Sequence, residues 1–131
     1  MEEVYQFFKE NPVFYLATME GDQPRVRPFG AVAKFDNKLY ICTNNKKNVF
    51  QQIKDNEKVE ICGMDQKGNW LRVEAKMIAD GRLEAKKTIL DENPSLKNMY
   101  KEDDDIFEVL YLKNVTANFC SFGKQPRTIK F

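Results

Sequence analysis

Apolar residues along the chain follow two different spacings. From Trp70 to Asp80 they alternate: Leu71, Val73, Ala75, Met77 and Ala79 share one face, and Trp70, Arg72, Glu74 and Lys76 the other. A period of two marks a strand with one buried face, so this stretch predicts the clearest strand of the chain. Other stretches predict strands over Val13–Met19, Arg25–Phe35, Lys38–Thr43 and Lys58–Met64, and a long last strand over Phe107–Phe119. Turn residues separate them at Glu20-Gly21-Asp22, at Asp36-Asn37 and in a polar hairpin turn from Asp65 to Asn69.

The spacing becomes helical in three places. Val4, Phe7 and Phe8 stripe a helix over Glu2–Glu10 that Asn11-Pro12 ends. Val49, Phe50 and Ile53 predict a helix from about Lys46 to Asp55, with Asn44 or Asn45 as its N-cap. Leu83, Ile89 and Leu90 predict a third over Leu83–Glu92, capped by Asp80 and stopped by Asn93-Pro94. A broken helical segment through Leu96 and Met99 then reaches Tyr100. Short connections between strands, with helices at the ends, predict one mainly β (α+β) domain over residues 1–131, an antiparallel barrel with short flanking helices. Pro28 inside the second strand implies an edge or a bulge, because proline cannot donate to a ladder, and Gly30 allows a close approach to the backbone. The tail from Ser121 is expected to fold over a partner subunit or to fray.

Composition narrows the function classes. Lys and Arg number 21 against 20 Asp and Glu, which is not the balance of a nucleic-acid binder. No apolar run approaches the roughly 18 residues of a membrane span. The acidic, amphipathic first segment does not read as a signal peptide, so a cytoplasmic location is expected. Cys42, Cys62 and Cys120 have no metal-ligand spacing and read as free thiols in strands. The acidic run Glu102–Asp105 reads as a solvated loop. The chain has no histidine, which excludes Ser-His-Asp and Cys-His catalysis and argues against zinc.

Candidate chemistry concentrates between Arg25 and Ile53. Arg25 and Arg27 share a face of their strand. Thr43, Asn44 and Asn45 fall where the next strand ends, and Lys46 and Lys47 open the helix. Lysine is unfavourable at a helix start unless an anion is bound there. A phosphate would accept hydrogen bonds from the free N–H groups, from Thr43 and from the lysines together. A solvated basic loop with two surface arginines is the other reading of the same residues. No glycine-rich loop occurs, so this is neither a P-loop nor a Rossmann turn.

This stretch resembles the FMN-binding core of the pyridoxamine 5'-phosphate oxidase-like family, the FMN-binding split β-barrels. The matching features are Arg27 on the second strand, Cys42-Thr43 ending the third, and the basic pair Lys46-Lys47. The strand NWLRVEAKMIADG resembles the family strand that reaches the flavin from the other subunit, with Trp70 and Arg72 at the outward positions. The resemblance covers about Val13 to Gly81 well and the rest loosely. It implies a homodimer with FMN between the subunits. The phosphate would lie against Arg27, Thr43, Lys46 and Lys47, with Arg25 as a weaker candidate, Asn44 would be a further cofactor contact, and the ring system would run along Pro28, Phe29 and Gly30. Trp70 or Arg72 would come from the partner. Two departures argue against oxidation of pyridoxamine phosphate. Val32 stands where the classical oxidases carry a substrate lysine, and the arginine-histidine pair near their C-terminus has no counterpart. The resemblance thus implies a generic FMN oxidoreductase acting on an unidentified small molecule. The alternatives are a non-enzymatic FMN carrier or sensor, a flavin-free barrel for single-stranded nucleic acid, and a heme-handling relative.

Overall fold

A computed structural model describes residues 1–131. Eight strands form one antiparallel sheet. They are β1 (Phe14–Glu20), β2 (Gln23–Phe29), β3 (Ala33–Phe35), β4 (Lys38–Asn44), β5 (Lys58–Met64), β6 (Trp70–Asp80), β7 (Phe107–Cys120) and β8 (Arg127–Lys130). The helices are α1 (Glu2–Glu10), α2 (Asn48–Asp55) and α3 (Leu83–Glu92), followed by a 3-10 turn, Pro94–Asn98. The sheet runs β2-β1-β5-β6-β7-β4-β3, with β8 added to β7. It curls round a core without closing, as a split barrel does.

The split follows from a break in the expected second strand. Arg25–Phe35 is not continuous: β2 ends at Phe29 and β3 starts at Ala33. These two pieces lie at opposite ends of the sheet, so Gly30-Ala31-Val32 bridges the gap. Pro28 lies on β2, an edge strand, where a missing N–H is tolerated. Val32 is buried in the main core and cannot meet a substrate.

The main core fills the barrel with side chains from β1, β4, β5, β6 and β7, and α1 lids one end through Val4 and Phe8. Phe8 packs on Phe14 with ring centroids 5.0 Å apart. Gly63 makes the lid possible, because a Cβ there would lie 3.0 Å from the Phe8 ring. A smaller cluster, including Tyr40, Ile89, Leu90, Phe107 and Val109, lies under α3.

Several expected details change. On β6, Leu71, Val73, Ala75 and Met77 are buried as the alternation predicts, but Ala79 is exposed and Asp80 is buried. Asp80 does not cap α3. Arg82 is the N-cap, and Asp80 instead accepts from Tyr40 and Arg82. Leu83 is exposed, and Ala85 takes its place beside Ile89 and Leu90. The tail neither frays nor leaves the chain: β8 pairs with β7, and Phe131 exchanges backbone hydrogen bonds with Val115. In the acidic run, Asp104 accepts from the backbone N–H groups of Lys101, Ile106 and Phe107 and so shapes the turn into β7. No helix is long and apolar enough to cross a membrane.

Candidate functional site

β3 pairs with β4 only from Ala33 to Phe35, opposite Tyr40 to Lys38. Beyond Tyr40, β4 continues to Asn44 with β7 on one side and the split on the other. A cavity of about 330 Å³ opens there. One wall is the end of β2 and the start of the bridge, Pro28, Phe29, Gly30 and Ala31. Cys42, Thr43 and Lys47 line it from β4 and the following turn. The opposite wall is Asn93, Ser95, Leu96, Met99 and Tyr100, from the end of α3 and the 3-10 turn. No carboxylate lines the cavity; its one charged residue is Lys47.

The basic turn is placed differently from the expectation. α2 starts at Asn48, its N-cap is Lys47, and neither Asn44 nor Asn45 caps it. Asn44 Oδ1 accepts the backbone N–H of Lys46 at 3.1 Å, a local turn that holds Lys46 and Lys47 outside the helix. Asn45 Nδ2 donates to the carbonyl of Asp105 at 2.8 Å, which ties the turn to the start of β7. No side chain caps α2, and its first turn contains no acidic residue. The partial positive charge of the helix start therefore adds to that of Lys47. No ion pair in the chain includes Lys46 or Lys47.

Thr43 is only 4% exposed, and its Oγ1 is the one buried side-chain polar atom without a hydrogen-bond partner. A buried hydroxyl in that state costs free energy unless something else supplies its partner. Next to it, burial pushes the Cys42 thiol up to about 12 despite the pull of Lys47, so the thiol is neutral at ordinary pH. The cavity thus offers one cation, several hydroxyls and no carboxylate, with Asn93, whose NH2 group is spent on the carbonyls of Val32 and Ile89, as a neutral acceptor. That chemistry fits an anionic, oxygen-rich ligand such as a phosphate ester.

The other expected site residues lie elsewhere in the chain. Arg27 is not on the cavity wall. Its guanidinium donates to Thr18 Oγ1 and Gln52 Oε1, both at 2.7 Å, and to the carbonyl of Leu16. No carboxylate pairs with it, and burial lowers its pKa, with a smaller push from Arg25. Arg25 is tied to Glu20 at 2.8 Å on the surface. Trp70 packs edge-on to Phe122 with centroids 5.3 Å apart. Arg72 pairs with Glu60 at 3.0 Å. Neither Trp70 nor Arg72 lines the cavity. The fold therefore brings together Pro28, Phe29, Gly30, Thr43 and Lys47, with Asn44 and Lys46 on the adjoining turn. It leaves Arg27, Trp70 and Arg72 apart within one chain. The sequence pattern missed the whole wall from Asn93 to Tyr100, for which no local signal exists. It also missed Gln52, whose polar side chain on the buried face of α2 was a readable sign of a buried polar contact.

An unclosed antiparallel barrel with a donor-lined cavity at its split defines the class. Comparison with known proteins agrees: the pyridoxamine 5'-phosphate oxidase family model matches residues 1–118, and the chain belongs to that family. Its structure is similar to that of a NimC/NimA family protein from Clostridium acetobutylicum, with 50% sequence identity and a TM-score of 0.97 over 100% of this chain and 92% of that one. General Stress Protein 26 from Bacillus anthracis shares the fold at 16% identity, with a TM-score of 0.79 over 99% and 97% of the two chains. So does a pyridoxamine 5'-phosphate oxidase-related, FMN binding protein from Nostoc punctiforme, at 11% identity and a TM-score of 0.65 over 99% and 95%. No curated protein matches the chain.

Proposed function

We propose that this protein is an FMN-binding flavoprotein that acts as an oxidoreductase on a small molecule. The observation that carries the reading is a cavity that Thr43 and Lys47 line without any carboxylate, the Thr43 Oγ1 being buried and without a partner. An FMN phosphate supplies the acceptor oxygens that Thr43 and Lys47 lack, and the uncapped start of α2 favours its charge. Arg27, half-buried and without an acid partner, adds positive charge from β2, whose next residues Pro28 and Phe29 line the cavity. The ring system lies along Pro28, Phe29 and Gly30, and the neutral Cys42 thiol adds no competing charge.

When bound, flavin supplies the redox chemistry, and the protein binds, orients and tunes it. A chain without histidine is compatible with that division of labour. The partner in this reading is a second copy of the chain. Tyr15 and Met64 are exposed, and they pair across the sheet with Cys62 and Trp70. Together with Arg72 they form a partly apolar face of the kind that subunits cover. A partner would bring Trp70 or Arg72 to the flavin across that face. The departures at Val32 and the missing histidine leave pyridoxamine phosphate outside the expected substrates.

The test is a visible absorption spectrum of the purified protein, followed by mass identification of any released chromophore. A flavin spectrum with FMN released is expected. A colourless protein that does not bind added FMN, or one that releases heme, overturns the reading. Turnover of a reduced nicotinamide with nitro or quinone acceptors separates an oxidoreductase from an FMN carrier.

A further inference from the structure

The far wall of the cavity carries a hydroxyl whose hydrogen-bond direction can be worked out. The backbone N–H of Lys46 can only donate, and it donates to Asn44 Oδ1 at 3.1 Å. That fixes the Asn44 amide with Nδ2 turned away from Lys46, where it meets Tyr100 Oη at 2.7 Å. An amide NH2 group can only donate. Tyr100 Oη is therefore the acceptor in this bond, and its own proton is free for another partner. The Tyr100 ring packs on Phe107 with centroids 5.0 Å apart, so the hydroxyl is held from the ring side as well. Tyr100 lines the cavity, and its tie to Asn44 sets the hydroxyl beside the basic turn, on the face of β4 that Asn44 shares with Cys42.

We propose that Tyr100 Oη donates a hydrogen bond to the phosphate of bound FMN, with Asn44 as the positioning residue that keeps this hydroxyl a donor. The inference rests on the FMN reading and adds to it a contact 56 residues from Asn44 in sequence. It assigns Tyr100 to the anionic end of the ligand, against its use as a ring contact or as a purely structural tie between two turns.

The test is titration of FMN and of riboflavin, which lacks the phosphate, into the wild type, Y100F, N44D and the double variant. Y100F keeps the ring and its packing and removes only the hydroxyl. The FMN dissociation constant should rise about 3- to 10-fold in Y100F, the range of one hydrogen bond, with riboflavin unchanged. N44D still accepts from Lys46, but a carboxylate only accepts, so it takes the Tyr100 proton for itself. The two substitutions should then be less than additive on FMN. Equal loss of both ligands in Y100F, or no loss, overturns the Tyr100 assignment and leaves the FMN reading standing. Full additivity in the double variant overturns the positioning role of Asn44. Wild-type protein that binds neither ligand overturns the FMN reading, and this inference with it.

Discussion

Tyr40 and Thr43 lie three residues apart on β4, and both are buried hydroxyls, 0% and 4% exposed. Their surroundings differ in one respect. Tyr40 Oη donates to Asp80 at 2.7 Å, and Asp80 in turn accepts from Arg82 at 2.9 Å. Burial and that carboxylate push the Tyr40 phenol well above its ordinary range, while the Arg82 hydrogen bonds hold Asp80 down at about 2. Every polar group there has a complement. Around Thr43 the hydroxyl has none, and the nearby charge, Lys47, has no acid. A complete network at one end of a strand serves the fold. The incomplete one at the other end, beside a cavity, is the feature on which the proposed anion site rests.

That contrast can be broken from either side. The largest effect should come from D80A, which removes the acceptor of a fully buried phenol. Stability should fall by about 2–3 kcal/mol, read by denaturant unfolding, with FMN affinity unchanged in the folded protein. A coupled loss of affinity would mean that the two regions are not separate. The same carboxylate sets a pH dependence. Its folded pKa, about 2, lies below its ordinary value, so its contribution is complete above about pH 4–5 and is lost as pH falls toward 2. D80N should flatten that slope in acid unfolding curves.

Next in size, K47A should raise the FMN dissociation constant by about 10-fold or more and leave riboflavin alone, since a charge-assisted contact to the phosphate is removed. R27A should also weaken FMN, but it should lower the melting temperature as well, because Arg27 links β1, β2 and α2 through Thr18 and Gln52. A fluorescence titration beside a melting curve separates the two. T43V is the sharper probe of the unpartnered hydroxyl. FMN affinity should drop by up to about 10-fold, while the ligand-free protein becomes no less stable, since nothing inside the chain bonds that oxygen. A marked loss of stability in T43V would show that the hydroxyl has a structural partner. The smallest effect belongs to R25A. Its pairing with Glu20 is exposed at both ends, so FMN affinity should change by less than about 2-fold and the melting temperature hardly at all.

The two arginines show how far local pattern reaches. Arg25 and Arg27 are equivalent by spacing, yet Arg25 stays at the surface with Glu20 and Arg27 turns to Thr18 and Gln52. The difference lies in the partners the fold supplies, since Gln52 of α2 presents its Oε1 to Arg27 while Arg25 meets the exposed Glu20 carboxylate. The basic turn was legible as two lysines just ahead of a helical apolar spacing, a local pattern that does not depend on where the helix packs, although the structure puts both outside the helix. The exact start of α2 was not, since the Asn44 side chain competes for the Lys46 N–H and delays the helix.

By itself the sequence determined the period of the three helices and of most strands, including β6 to its exact ends, the exclusion of histidine chemistry, and the clustering of basic and hydroxyl residues along the stretch from Arg25 to Lys47. These depend on contacts within about one turn or one strand, where residue type and spacing act directly. Tertiary structure alone decided that the chain leaves β2 at Gly30 to rejoin the sheet at its far end, and so where the barrel stays open. It alone brought the wall from Asn93 to Tyr100 against Thr43 and Lys47. Those outcomes depend on how two apolar clusters fill and which strand edges are left over, a condition that no short stretch of the chain contains.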